Sequence, residues 1–319
     1  MPTTLRAYHR PLLLLVAGMA LLAVVAVIGL VADAREVTGL SAWAKPLKFA
    51  LSTAIYALTL AWLLSLLPPG RRLAWRAGTA ASVGLTVELV IITGAAVTGT
   101  TSHFNVSSPV AAALWSTMAG FIGLVWIAQV VVGISLFRAP LGDPARTLAI
   151  RAGVVIGIGG MALGFLMTAP TSAQLADFRG IAGAHTVGVP DGSPGLPILG
   201  WSTVAGDLRI PHFVGMHALQ IIPLACWTLE LAGRRIPVLA RAGVRARLVA
   251  IGTAAFVAGL TLVTYQALAG QSIVRPDAVV ASLAIGIVAA ASLASIALLA
   301  RAAKATPSLA RQSGRTVPL

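Results

Sequence analysis

The chain has 319 residues, of which 58% are hydrophobic and 10% charged, with a mean hydropathy of +0.92. Soluble domains carry about 25% charge, so the composition excludes a soluble enzyme and predicts an all-α, polytopic transmembrane bundle. The net charge of +14 raises nucleic-acid binding as a reading, but the placement of the charges argues against it. Cys226 is the single cysteine, which excludes an intrachain disulfide and a thiolate metal cluster. Arginine dominates the cations, with lysine only at 45, 48 and 304, and the Ala/Arg/Gly/Val bias has a bacterial look.

A hydrocarbon core of about 30 Å needs roughly 20 apolar residues per helix. Eight stretches qualify, over about 11–32, 46–68, 78–99, 109–137, 152–170, 211–232, 248–269 and 278–300. Together they read as a single membrane domain over 1–319, and the long fourth stretch is expected to tilt. Ala32-Asp33-Ala34 resembles a signal-peptidase site, but 11–32 exceeds the roughly 7–15 apolar residues of a signal peptide, so the first span is expected to stay. No 20–50-residue repeat is visible, and the halves show no inverted similarity.

With the N-terminus inside, both termini are inside. Of the 23 Lys and Arg residues, only Arg35, Lys45, Lys48, Arg179, Arg209 and Arg275 then fall outside. This is the positive-inside pattern. It predicts a multi-pass protein of a plasma or bacterial inner membrane, with a basic inner tail over 301–319. The charge is a topology signal and an attraction to anionic lipid, not a nucleic-acid footprint.

Polar chemistry gathers on the opposite side. Of the five histidines only His9 is predicted inside, and Gln129 and Glu230 are the stronger polar groups of the inner halves. A transporter needs polar groups along both half-paths, so the asymmetry favours a site that opens outward.

The elements bearing that chemistry follow in chain order. In Trp43-Ala-Lys-Pro-Leu-Lys-Phe-Ala-Leu-Ser52, Pro46 suits a helix start. Lys45, Lys48 and Ser52 share one stripe. The lysines are either interfacial anchors or a cation pair for a phosphate or carboxylate. Glu88 lies in mid-span and must be paired, hydrated or protonated. Gln220, His217 or a lysine are its expected partners, if the third span packs beside the second and sixth. An intramembrane carboxylate is a functional candidate. Thr100-Thr-Ser-His-Phe-Asn-Val-Ser-Ser-Pro109 is an uncharged turn that presents His103 and Asn105.

The segment 171–206 reads as a lid-like outer loop. It contains His185 and a Gly/Pro-rich stretch that forbids a long regular element from 188 to 200. Next comes Gly206-Asp-Leu-Arg-Ile-Pro-His-Phe-Val-Gly-Met-His-Ala-Leu-Gln220, with Asp207 as the expected N-cap and Pro211 in the first turn. At about 100° per residue, Arg209, His217 and Gln220 share one face of a continuous helix. His212 falls about 140° from His217, so the two cannot share a metal on a regular helix. Tyr265, Gln266 and Gln271 add polar groups near the same end.

The residues Lys45-Pro-Leu-Lys-Phe-Ala-Leu-Ser52, Ser102-His-Phe-Asn105, Ala184-His-Thr-Val-Gly188 and the 206–220 segment resemble those of a group of uncharacterised bacterial multi-pass membrane proteins. That resemblance spans most of the chain and implies a membrane fold without an activity. Membrane zinc hydrolases of the alkaline ceramidase and progestin-receptor type use a His-x-x-x-His pair. The spacing here is His-x-x-x-x-His, which does not match.

These features predict a membrane-embedded enzyme acting on an amphiphilic or lipid-borne substrate. His217, Glu88, His103 and Asp207 are the catalytic candidates. Lys45, Lys48, Arg209, Gln220, Asn105 and Gln266 are the substrate-binding ones. A divalent-metal version would use His103, His217 and either His185 or His212, with water in the fourth position. Two alternatives are a non-enzymatic sensor or partner-binding subunit, and a haem or quinone protein with His103 and His217 as axial ligands.

Overall fold

The computed structural model describes residues 8–304. Arg6, Arg311, Arg315 and the tail beyond Lys304 lie outside the described residues. The helices are α1 (Arg10–Ala32), α2 (Ala44–Ser65), α3 (Arg72–Thr98), α4 (Pro109–Phe137), α5 (Pro144–Leu163), the short α6 (Ser172–Ala176), α7 (Arg209–Met216), α8 (Ala218–Ala232), the short α9 (Pro237–Ala240), α10 (Ala242–Leu268) and α11 (Ala278–Lys304). Seven are long and apolar enough to cross a membrane, and α7 with α8, bent by 42°, supplies an eighth if the pair is one span. The protein is an all-α polytopic membrane bundle.

Local chemistry explains several ends. Ser108 accepts the Ala111 N–H and Pro109 opens α4, as the sequence suggests. The α5 span starts near 144, not 152, because Asp143 accepts the Ala145 and Arg146 N–H groups as its cap. The hydropathy signal misses that first turn because Arg146 lies in it. There Arg146 pairs with Glu230 at 2.8 Å, and Arg151 one turn further on donates to the Phe137 carbonyl at 2.9 Å. His9 caps α1 and sets Nε2 2.9 Å from the Trp75 carbonyl, a structural role.

α1 packs on α2, α3 on α4 and α2, and α5 on α7, α8 and α10, with α4 against α5 joining the two sets. Leu12, Leu60, Leu63, Leu89, Val132 and Ile150 lie in the largest buried cluster. α11 leans on α10 and shows Leu283, Ile285, Val288 and Ile296 outward, as lipid-facing surface would.

The tightest seam joins α5 to α7 and α8. Gly153, Gly157 and Gly160 repeat at spacings of four and three and so share one face. A Cβ at Gly153 would stand 2.9 Å from the Ala218 carbonyl oxygen, and one at Gly160 would collide with the Gly215–Met216 backbone. Small residues permit this close approach, as in membrane helix pairs generally.

Two expectations need correction. Residues 211–232 do not form one straight helix: the path breaks at His217. Pro223 removes a backbone bond within α8, and the seam holds α7 and α8 against α5 on both sides of the break. Of the second and sixth spans named as neighbours of the third, the second packs on α3 and the sixth is not among its main neighbours, which are α4, α2 and α1.

The connections at one end form a knitted layer. Thr38 and Gly39, both with positive φ, turn a small ribbon of Glu36–Val37 against Leu40–Ser41, the backbone geometry that two-residue hairpins favour. Thr186–Val187 pairs antiparallel with Gly206–Asp207. Asn105 bridges Ile181, and the Ala182 N–H donates to the Phe104 carbonyl at 2.8 Å.

Gly160→Val should force α5 away from α7 and lower the melting temperature in detergent, with overpacking costing about 1–3 kcal/mol. Gly159→Ala, where a Cβ meets nothing within 4 Å, should leave it unchanged. Equal melting of the two variants would remove the seam from the account.

Candidate functional site

The site is built on the knitted layer. Asp207 is 1% exposed. Its Oδ2 accepts the Ser202 N–H at 2.8 Å, and its Oδ1 accepts the Arg209 N–H at 3.0 Å and the Arg209 Nε–H at 2.9 Å. Arg209 also donates to the Gly200 carbonyl. The helix cap is Leu208, one residue later than expected, because the Asp207 carboxylate is drawn into the fork of Arg209. With its oxygens so engaged, Asp207 positions Arg209 and the 200–202 backbone.

A second buttress holds the loop. Asp191 accepts from the His185 backbone N–H at 3.0 Å, from the Thr186 hydroxyl at 2.9 Å and from His185 Nδ1 at 2.6 Å. Burial pushes its carboxyl upward, but the bond from His185 and the other donors outweigh it and hold the group below the usual carboxylate range. The Leu208 N–H donates to the His185 carbonyl at 2.9 Å, tying this turn to the start of α7.

Between the buttresses lies the pair the sequence placed in separate elements. Lys45 Nζ stands 3.1 Å from His103 Nδ1, and the Ser102 hydroxyl stands 3.0 Å from the same nitrogen. The His103 ring is walled by Phe49, Phe104 and Trp115, with centroids at 5.8, 5.9 and 5.5 Å. Burial, reinforced by the charge of Lys45 and then by His185, holds the His103 pKa well below its ordinary value. Both contacts meet at Nδ1, and the tautomer in which Lys45 donates to it carries the ring proton on Nε2.

Lys48 donates to the Leu199 carbonyl at 2.9 Å. Glu88 is 5% exposed and makes no ion pair within 4 Å among the described residues. The opposite charge acting on it is Lys45, which also senses Lys48, Arg209 and Asp191. Lys45, Lys48, Glu88, His103, His185, Asp191, Asp207 and Arg209 thus form one electrostatic cluster. Asp207 and Asp191 are engaged by Arg209 and His185; Lys45 is the opposite charge acting on Glu88, and Lys48 senses Arg209 and Asp207. The arrangement can hold an anionic oxygen between ammonium groups and an imidazole N–H, with a carboxylate nearby to take up a proton.

Other candidates fall elsewhere. His217 packs edge-on against Phe213 at 4.3 Å and meets Gln220 at 3.3 Å, and Gln220 donates to Thr59 of α2 at 3.1 Å. No hydrogen bond or ring contact joins His217 to His103. The buried His217 Nε2 has no partner. His212 Nδ1 lies 2.8 Å from the Gly160 carbonyl, so it buttresses the α5 seam. The Asn105 side chain closes its own turn by accepting from Ser107, and buried Gln266 donates to the Ser272 carbonyl at 2.8 Å. Among the described residues no three His, Cys, Asp or Glu side chains gather in a metal-holding group. The expected set of His103, His217 and His185 or His212 therefore does not gather: His212 is bonded to the Gly160 carbonyl of α5, and His217 meets Phe213 and Gln220.

The sequence reading missed Asp191, although its place in Val-Pro-Asp-Gly-Ser-Pro marks a turn acid able to accept backbone N–H groups. It also missed Trp115 and the carbonyls of Leu199 and Gly200, which carry no sequence signal. Comparisons with protein-family models, curated proteins and solved structures give no match.

Asp191→Asn should loosen the 185–191 turn, with a loss of about 1–3 kcal/mol and faster amide exchange over 184–208. The native carboxylate is held low, so its contribution is full above the ordinary Asp value and fades as pH falls through its folded value. Melting of the native protein should drop on acidification through the carboxylate range, and the variant should show a smaller drop. Identical pH profiles would mean that Asp191 is not a source of the acid sensitivity.

Proposed function

We propose that this protein binds the anionic head of an amphiphilic or lipid-borne molecule at the Lys45–Lys48–His103 cluster and acts on it as a membrane-embedded enzyme. The observation that carries the reading is the Lys45–His103 pair, with Glu88 as the unpaired carboxylate within its field. Two ammonium groups concentrated against the positive-inside trend are costly at a membrane end unless an anion offsets them. In this reading His103 offers its Nε2–H to a substrate oxygen, Lys45 supplies charge, and Glu88 takes up a proton. Asp207, through Arg209, keeps the 200–202 backbone in register above them. The positive-inside distribution of arginine favours a site open to the outer side of a plasma or bacterial inner membrane.

One contact favours a second reading, a non-enzymatic sensor. Lys48 gives one of its N–H donors to the Leu199 carbonyl of the loop. An anion that draws the Lys48 ammonium away from that carbonyl would move the 194–203 turn, so binding alone could signal.

Titration of the protein in nonionic detergent with dodecyl phosphate should show saturable binding, and dodecanol should show none. Lys45→Gln and Lys48→Gln should each weaken it about ten- to a hundredfold, the loss of one charge-assisted hydrogen bond. Arg179→Gln, on the exposed loop, should have no effect. Binding of both probes alike, or indifference to the lysine changes, would remove the anionic-head reading. Turnover lost in Glu88→Gln with binding retained selects the enzyme over the sensor.

A further inference from the structure

At the opposite, arginine-rich end, α10 and α11 diverge to leave a groove of about 750 Å³ lined by Arg241, Val244, Arg247, Ala297, Leu298 and Arg301, among others. The volume is in the range of small-molecule sites. Its walls are two regular helix faces. Val244 and Arg247 lie a turn apart on α10, and Ala294, Leu298 and Arg301 follow one another at spacings of four and three on α11. On α11 the apolar Ala294, Ala297 and Leu298 precede Arg301, so they lie further from the arginine-rich end, and on α10 Arg247 lies one turn further in than Val244.

The end of the molecule that holds this groove has few acids to offset its arginines. The whole chain has nine acidic residues, and only Asp143 and Glu230 stand at this end. Both are committed, Asp143 to Arg245 at 2.8 Å and Glu230 to Arg146 at 2.8 Å. Arg247 and Arg301 make no ion pair among the described residues, and no Asp or Glu occurs beyond Lys304. Arginine forks suit phosphate oxygens, which they bind in bidentate fashion. α11 has a lipid-facing outer surface along its length, so a chain-bearing molecule reaches the groove from the bilayer without crossing a barrier.

We propose that the α10–α11 groove is a binding site for an anionic phospholipid. Arg247 and Arg301 hold its phosphate, and an acyl chain lies along Ala294, Ala297 and Leu298. The site is independent of the Lys45–His103 cluster and uses none of its residues. A lipid seated there would also brace α11, whose helix contacts run to α10 and α9.

The test uses the full chain in phosphatidylcholine nanodiscs with a small fraction of phosphatidylglycerol, and native mass spectrometry to count lipids retained on the released protein. The native protein should retain phosphatidylglycerol saturably, at about one molecule. Retention should fall at least tenfold in the Arg247→Gln/Arg301→Gln double variant. Ala297→Phe, which fills the wall without touching charge, should lower it similarly. Arg234→Gln/Arg235→Gln removes two exposed arginines at the same end but away from the groove, and should retain lipid as the native protein does. Equal loss in the two double variants would mean diffuse surface attraction and overturn the proposal. Full retention in Ala297→Phe would overturn the seated acyl chain. Displacement of the lipid by millimolar inorganic phosphate in detergent would assign the groove to free phosphate and overturn the lipid assignment. Melting temperature in phosphatidylcholine alone, expected to be equal for all variants, separates loss of the site from loss of the fold.

Discussion

The buried carboxylate of Asp207 is the interaction on which the polar end depends. It is shut off from solvent, and each of its strong partners belongs to a different purpose: the Ser202 N–H closes the loop, the Arg209 N–H starts α7, and the Arg209 side chain clamps the Gly200 carbonyl. A buried charge that loses its partner costs several kcal/mol, about 3–5 in measured cases. The carboxylate therefore couples loop, ribbon and helix into one unit. Lys48 then finds the Leu199 carbonyl one residue from Gly200, so the cluster's second cation is placed by the same turn.

The two ends of the molecule solve the same physical problem differently. At the loop-rich end, cations are few, Asp191 and Asp207 are matched to His185 and Arg209 and held by backbone N–H groups, and Lys45 acts on the embedded Glu88. At the arginine-rich end, cations outnumber acids, and Asp143 and Glu230 serve helix capping and inter-helix pairing. Electrostatics thus divides the described residues into an end where acids and cations are closely matched and an end where arginines are in excess.

How much was legible depends on the range of the signal. Hydropathy exposed the spans because transfer of roughly 20 apolar residues into hydrocarbon dominates all local preferences. Ser108-Pro109 announced the start of α4 because capping is local. The fifth span was misplaced at its start because Arg146 and Arg151 are polar by composition, yet they satisfy themselves on Glu230 and the Phe137 carbonyl while remaining helical. The face drawn through Arg209, His217 and Gln220 failed because it assumed one helix. The Gly153–Gly157–Gly160 seam shows what hydropathy could not read: glycine carries no transfer signal, and its value lies in the neighbour it admits.

The sequence by itself determined that the chain is a helical membrane protein, that Lys45, Lys48 and Glu88 require partners, and that chemistry concentrates in a few segments. Those conclusions follow from transfer free energies, which sum along the chain without knowledge of contacts. Only the tertiary structure decided which partner each group has. It joined Lys45 to His103 and turned His212 toward the Gly160 carbonyl. It gave His217 to Gln220 rather than to a metal set, and it enlisted the unnoticed Asp191 to hold His185. These choices rest on distances of a few ångströms between residues far apart in sequence, where a buried polar atom is either satisfied or costly. Composition states that the requirement exists, and packing selects the group that meets it.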